Sequence, residues 1–220
     1  MKQVTKHVTK QVMKRGMKWL IGTLMLSGVA ATQPASAQTG DAASRFWQAS
    51  LAAEAKGALD EAQTQVYAYS NAGGDRYLAA LRSGWLAFGR RDYEKALRFY
   101  KAAIEVSPQA LTPRLGQMYA ARYAGRVTEA IAAGDSVLAI QPGHREATLV
   151  LAEMRIARGE AQRAVEQLRR VQSELPEDTT VIAALAGALR AVGRINEAEQ
   201  MQARYKVLLA AAPVATQIAR

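Results

Sequence analysis

The sequence predicts an all-α fold in which five helical hairpins stack into a solenoid, and three ladders of residues predict it. Ala62, Ala96, Ala130, Ala164 and Ala198 stand 34 residues apart. Five positions before each come Gly57, Arg91, Gly125, Gly159 and Gly193. Pro108, Pro142 and Pro176 fall on the same period. A fixed period of this length marks a repeat array, in which each unit buries its apolar face only against its neighbours.

Each ladder has a physical role. A glycine just after an apolar-periodic run supplies the left-handed conformation that ends a helix. An alanine where the second helix crosses the first lets the two axes approach closely. A proline after the second helix cannot continue it. One unit therefore reads helix, tight turn, helix, proline. The helices are predicted at about 42–56 and 59–71, 75–90 and 93–106, 110–124 and 127–140, 144–158 and 161–174, and 178–192 and 195–210. Unit boundaries fall at 43–76, 77–110, 111–144, 145–178 and 179–210, after a short segment 38–42 and before a tail 211–220. Pro113 sits in the first turn of its helix, where proline is tolerated. The first unit closes on Asn71-Ala-Gly73-Gly74 instead of a proline, and the last on Ala210 with Pro213 just beyond. Irregular outer units are expected at the ends of an array.

The second unit, Tyr77 to Pro108, is the most regular. Its second half carries Asp92-Tyr93-x-x-Ala96-x-x-x-Tyr100-x-x-Ala103 and closes at Pro108. This resembles the tetratricopeptide-repeat signature, and Gly84 matches that family's first-helix glycine. Ser83 and Ala87 stand where the family has large residues, and Arg91 replaces the turn glycine. The resemblance covers roughly residues 43–210. It implies a right-handed superhelix whose concave face, lined by the first helix of each hairpin, takes the ligand. Gly134 occupies the aromatic step of the third unit, which predicts a hollow or a close backbone contact there.

Residues facing inward from the first helices recur at i, i+3, i+4 and i+7. The first pair gives Trp47, Leu51 and Glu54; the second Leu81, Arg82, Trp85 and Phe88; the third Leu115, Tyr119, Arg122 and Tyr123; the fourth Leu149, Glu153 and Ile156; the fifth Ala183, Gly187 and Arg190. Aromatic residues with arginines are what binding hot spots use. The expected binding set is Trp47, Arg82, Trp85, Phe88, Tyr119, Arg122, Tyr123 and Glu153, with a groove centred on Trp85, Tyr119 and Tyr123. Arg82 and Arg122 would hold a carboxylate. The plainer alternatives are that the aromatics belong to the core and that Glu153 simply pairs with Arg122.

The first 37 residues read as an address. A basic stretch ends at Lys18, an apolar run Trp19–Ala31 follows, and small residues at Ala35 and Ala37 place cleavage before Gln38. The run is shorter than the roughly 20 residues that span a bilayer. The expectation is a secretory signal, a periplasmic mature chain with no membrane span, and a start at Met1, Met13 or Met17. An uncleaved anchor is the alternative.

Composition narrows the functional classes. Six of the 29 basic residues lie in the first 18 positions, and from Gln38 onward 23 basic face 19 acidic residues, a net +4. No basic stripe recurs with the period, so nucleic acid is not an expected partner. There is no cysteine, which excludes disulfides, thiolate chemistry and cysteine metal sites. His7 lies in the signal and His144 in a turn. No HExxH, GxSxG, P-loop or dinucleotide fingerprint is present. The expectation is a non-catalytic chain without metal or cofactor that binds a protein or peptide of the bacterial cell envelope. Two other readings stay open. Aromatic faces stack on sugar rings, which suits a polysaccharide- or peptidoglycan-associated module. The last unit ends in Leu208-Leu209-Ala-Ala-Ala-Pro213 with no polar capping helix after it, which suits a self-associating solenoid or homo-oligomer.

Overall fold

A computed structural model describes residues 35–211. The predicted signal up to residue 34 and the tail from residue 212 lie outside the described residues. Ten helices and no strand are found among those described: α1 (Ala35–Ala55), α2 (Leu59–Asn71), α3 (Arg76–Gly89), α4 (Tyr93–Val106), α5 (Leu111–Tyr123), α6 (Val127–Ile140), α7 (Arg145–Ala157), α8 (Ala161–Glu174), α9 (Thr179–Ala191) and α10 (Ile195–Ala211). They pair into five hairpins. From α2 onward, successive helices pack on each other, and α3 also touches α5 and α7 touches α9. The boundaries lie close to the predicted ones except at the start: α1 begins at Ala35, not at residue 42. The stretch from Ala35 to Ala42 contains no proline, so nothing in it bars the helix from extending back to Ala35.

The turn inside every hairpin is the same. The N–H groups of Ala58, Asp92, Arg126, Glu160 and Arg194 donate to the carbonyls of Ala53, Ala87, Ala121, Arg155 and Leu189 at 2.8–3.0 Å. That six-to-one bond requires a left-handed residue between the helices. Gly57, Gly125, Gly159 and Gly193 supply it with φ of +77° to +79°, and Arg91 adopts φ +62° in their place.

The prolines do more than stop a helix. Each occupies the second position of a four-residue turn, closed when Ala110, His144 and Asp178 donate their N–H to the carbonyls of Ser107, Gln141 and Leu175 at 3.0–3.2 Å. Proline's fixed φ suits that position. The first hairpin solves the same problem differently. Gly73 takes φ +81°, Gly74 lies against the Tyr69 ring, and the Tyr69 hydroxyl accepts the Asp75 N–H at 2.8 Å.

All five ladder alanines are fully buried. Around them run three apolar clusters, one at each end and one across α3 to α7. Tyr100, 3% exposed, wedges between two glycines: a Cβ on Gly84 would meet its ring at 2.7 Å and one on Gly116 at 2.4 Å. Gly134 makes a close contact and leaves no hollow, because Leu151 and Met118 fill the space where its side chain would be.

Candidate binding face

The first helices of the hairpins leave a row of partly buried apolar side chains. Trp47 and Trp85 pack inward on the first cluster, Leu81, Phe88 and Leu115 on the central one, and Leu149 and Ile156 on the last. Their outer parts remain open to solvent. The row fades in the fifth hairpin, where Ala183 is exposed and nothing lies within 4 Å of the position a Gly187 Cβ would take.

The predicted polar residues are drawn into internal pairs. Arg82 is 5% exposed. Its Nε donates to Ser50 Oγ at 2.7 Å, its guanidinium lies 5.3 Å from the centre of the Trp47 ring, and its Nη2 sits 3.0 Å from Glu54 Oε2. That last contact is close enough for attraction but not aligned as a hydrogen bond. Burial pushes the guanidinium below its ordinary pKa, and Glu54 opposes the shift. The carboxylate that holds Arg82 is therefore the chain's own, which corrects the expectation that Arg82 waits for a ligand. The same Glu54 accepts the Trp85 indole N–H. Arg122 and Glu153 are paired at 2.8 Å, the former 27% and the latter 53% exposed. A pair so open to solvent is worth less than about 1 kcal/mol.

The aromatic residues do not form one groove around Trp85, Tyr119 and Tyr123. Tyr119 is buried, and its hydroxyl donates to Glu146 Oε1 at 2.7 Å. Burial and then Glu146 push its phenol far above the usual range, so it stays a donor. The continuous ring contact instead joins Phe88, Tyr93 and Tyr123. Phe88 meets the other two edge-on at 5.4 and 5.5 Å, and Tyr93 stacks on Tyr123 at 5.8 Å. Tyr123 is 47% exposed. Tyr93 stood in the repeat signature as a second-helix residue and Glu146 carried no periodic signal; each meets its partner through packing between hairpins at a spacing off the ladder.

Two shallow hollows, of about 240 and 250 Å³, lie by α8 to α10 and away from the aromatic row. Both are below the size of an ordinary small-molecule site. Among the described residues no cluster of histidine, aspartate and glutamate is placed to hold a metal ion, and no helix is long and apolar enough to cross a membrane. His144 caps α7, its Nδ1 accepting the Ala147 N–H at 3.2 Å. Asp178 caps α9 through the Thr180 and Val181 N–H groups and also pairs with Arg145.

The last described helix carries both polar and exposed apolar residues. At the registers where α4, α6 and α8 carry buried Leu97, Ile131 and Val165, then Tyr100, Gly134 and Leu168, α10 carries Glu199 and Gln202. A further hairpin would meet a carboxylate and an amide there. Val207 and Leu209 remain exposed elsewhere on α10.

A family model described as tetratricopeptide repeat matches residues 121–186, from the end of α5 into α9. Those residues carry tetratricopeptide repeats, and the fold of the described chain is that of a tetratricopeptide-repeat solenoid. Solved structures agree on the fold. A tetratricopeptide repeat protein from Parabacteroides merdae is 15% identical, with 79% of this chain and 69% of the other covered and a TM-score of 0.70. A MamA protein is 16% identical over 77% of this chain and 92% of its own, with a TM-score of 0.68. MamA from Desulfovibrio magneticus is 14% identical over 79% and 98%, also at 0.68. Among curated protein sequences nothing matches.

Proposed function

We propose that this tetratricopeptide-repeat protein is an exported, non-catalytic adaptor of the bacterial cell envelope that holds a protein or peptide segment along its first-helix face. The row from Trp47 to Ile156 carries this reading. Partly exposed leucines and aromatics repeated over four hairpins make an extended apolar surface, suited to a polypeptide segment more than to a compact small molecule. Export rests on the basic lead, the short apolar run and the small residues at Ala35 and Ala37.

In-cell crosslinking and pull-down would test the surface, comparing wild type with a Tyr123→Ala/Glu153→Ala double variant at exposed positions. One envelope protein captured by the wild type and lost from the variant is the expected result. Equal capture by both would move the binding elsewhere on the molecule. The mass of the purified chain tests export, with an N-terminus at Gln38 expected. A chain retaining residues 1–37 would overturn cleavage.

A glycan partner is the second reading, favoured by the exposed face of Tyr123 on its stack with Tyr93. Glycan binding would persist in high salt. A peptide held partly by Arg122 would weaken.

A further inference from the structure

Repeat arrays face a registration problem. Hairpins with the same backbone and similar apolar faces can stack in the wrong order, or on a hairpin of another chain. Two arginines break the repeat pattern at buried positions. At the register of Arg82 the other units carry Gln48, Gly116, Val150 and Ala184, and at the register of Arg155 they carry Ala53, Ala87, Ala121 and Leu189. Arg82 reaches from the second hairpin into the first, to Ser50, Glu54 and Trp47. Arg155, 2% exposed, reaches from the fourth into the third, where its Nη2 donates to Asp135 at 2.6 and 2.8 Å. It also holds Gln167 of its own hairpin.

The second-to-third junction is fixed by shape. Tyr100 of α4 fits against Gly116 of α5, where even a methyl group would meet the ring at 2.4 Å. At the register of Gly116, the second and fourth hairpins present Arg82 and Val150. Tyr100 set against either would overlap, and Arg82 or Arg155 set against another hairpin would be buried without its carboxylate.

We infer that Arg82–Glu54 and Arg155–Asp135, with the Tyr100–Gly116 fit between them, are registration locks that determine which hairpin stacks on which. Buried ion pairs are weak sources of net stability, because desolvation offsets their attraction. Their best-attested use is to exclude wrong pairings. Arg155 even keeps one buried nitrogen, Nε, without a partner.

The test is refolding from urea at rising protein concentration, comparing wild type with Arg155→Leu, which copies the leucine at the same register in the fifth hairpin. The expected result is an unchanged or higher urea midpoint, together with about a threefold larger fraction of associated, non-native species by size-exclusion chromatography. Asp135→Asn is the second variant. It removes the charge at a partly exposed position while keeping the size of the side chain, and its native yield should also fall below that of wild type. Native yields equal to wild type at every concentration, for whichever of the two folds, would overturn the inference. A lower midpoint with unchanged yield would also overturn it, showing the pair to be an ordinary stabilising contact.

Discussion

Alanine at Gly116 and alanine at Gly187 are the same chemical change in two first helices, and the structure predicts opposite signs. A Cβ at Gly116 would lie 2.4–2.7 Å from three ring carbons of Tyr100. Carbon atoms rest about 3.5–4.0 Å apart, so the ring would have to withdraw by roughly 1 Å. It has little room to do so, being 3% exposed and lying close over Gly84. Overpacking costs about 1–3 kcal/mol, and a ring held on both sides belongs at the upper end. Better helix propensity offsets about 1 kcal/mol, leaving a net loss of about 2 kcal/mol. At Gly187 no atom lies within 4 Å, so only the propensity gain of about 0.5–1 kcal/mol remains. Urea unfolding followed by circular dichroism should move the midpoint down for Gly116→Ala and up for Gly187→Ala. In a Tyr100→Leu background, Gly116→Ala should become neutral or stabilising. A Gly116→Ala midpoint no lower than wild type, or a loss that persists without Tyr100, would refute the wedge.

Other consequences can be checked in the same way. Arg91 holds a left-handed conformation where four sister units have glycine, so Arg91→Gly should stabilise by about 1 kcal/mol, read from the same urea midpoint. His144 has its pKa lowered from 6.5, chiefly by burial and despite the opposing charge of Glu146, so the fold prefers the neutral ring. The unfolded chain therefore binds the proton first as pH falls. Stability should decline from about pH 6.5 until the folded ring is protonated, by about 1 kcal/mol as the α7 cap is lost. His144→Asn keeps an acceptor and should remove that part of the pH dependence in parallel melts. Glu153→Ala should change stability by less than about 0.5 kcal/mol, given the exposure of its pair with Arg122. Partner capture unchanged or stronger in that variant makes the pair internal; weaker capture places Glu153 in contact with the partner.

Local, repeated signals were readable from the sequence alone. A glycine or a proline acts on its own turn, so the hairpin turns, the helix boundaries from Leu59 onward and the ladder of buried alanines all follow from the 34-residue period. The start of α1 did not, because the helix runs back through Gly40 to Ala35, ahead of the entry expected near residue 42. What depends on side-chain partners was less visible. Arg82 lies beside Leu81 in sequence, and a helix turns about 100° per residue, so one position separates the solvent face from the interior. Its partner Glu54 belongs to another hairpin. Tyr119 and Glu146 are 27 residues apart, off the period, and nothing in the pattern pairs them. The Arg122–Glu153 alternative was visible because it links inward positions of successive repeats.

The last helix differs from the others in how little it gives up to the interior. Of the 17 residues of α10 only Ala198 is buried, whereas α9 beside it buries Val181, Ile182, Leu185, Ala186, Ala188 and Leu189. An array held by nearest-neighbour packing opens first at the terminal helix that buries least. The molecule should therefore unzip from its C-terminal end. Amides of α10 would exchange with deuterium well before those of α5 to α8, and a protease at low dose would trim α10 back toward Gly193 while the four hairpins before it stay intact.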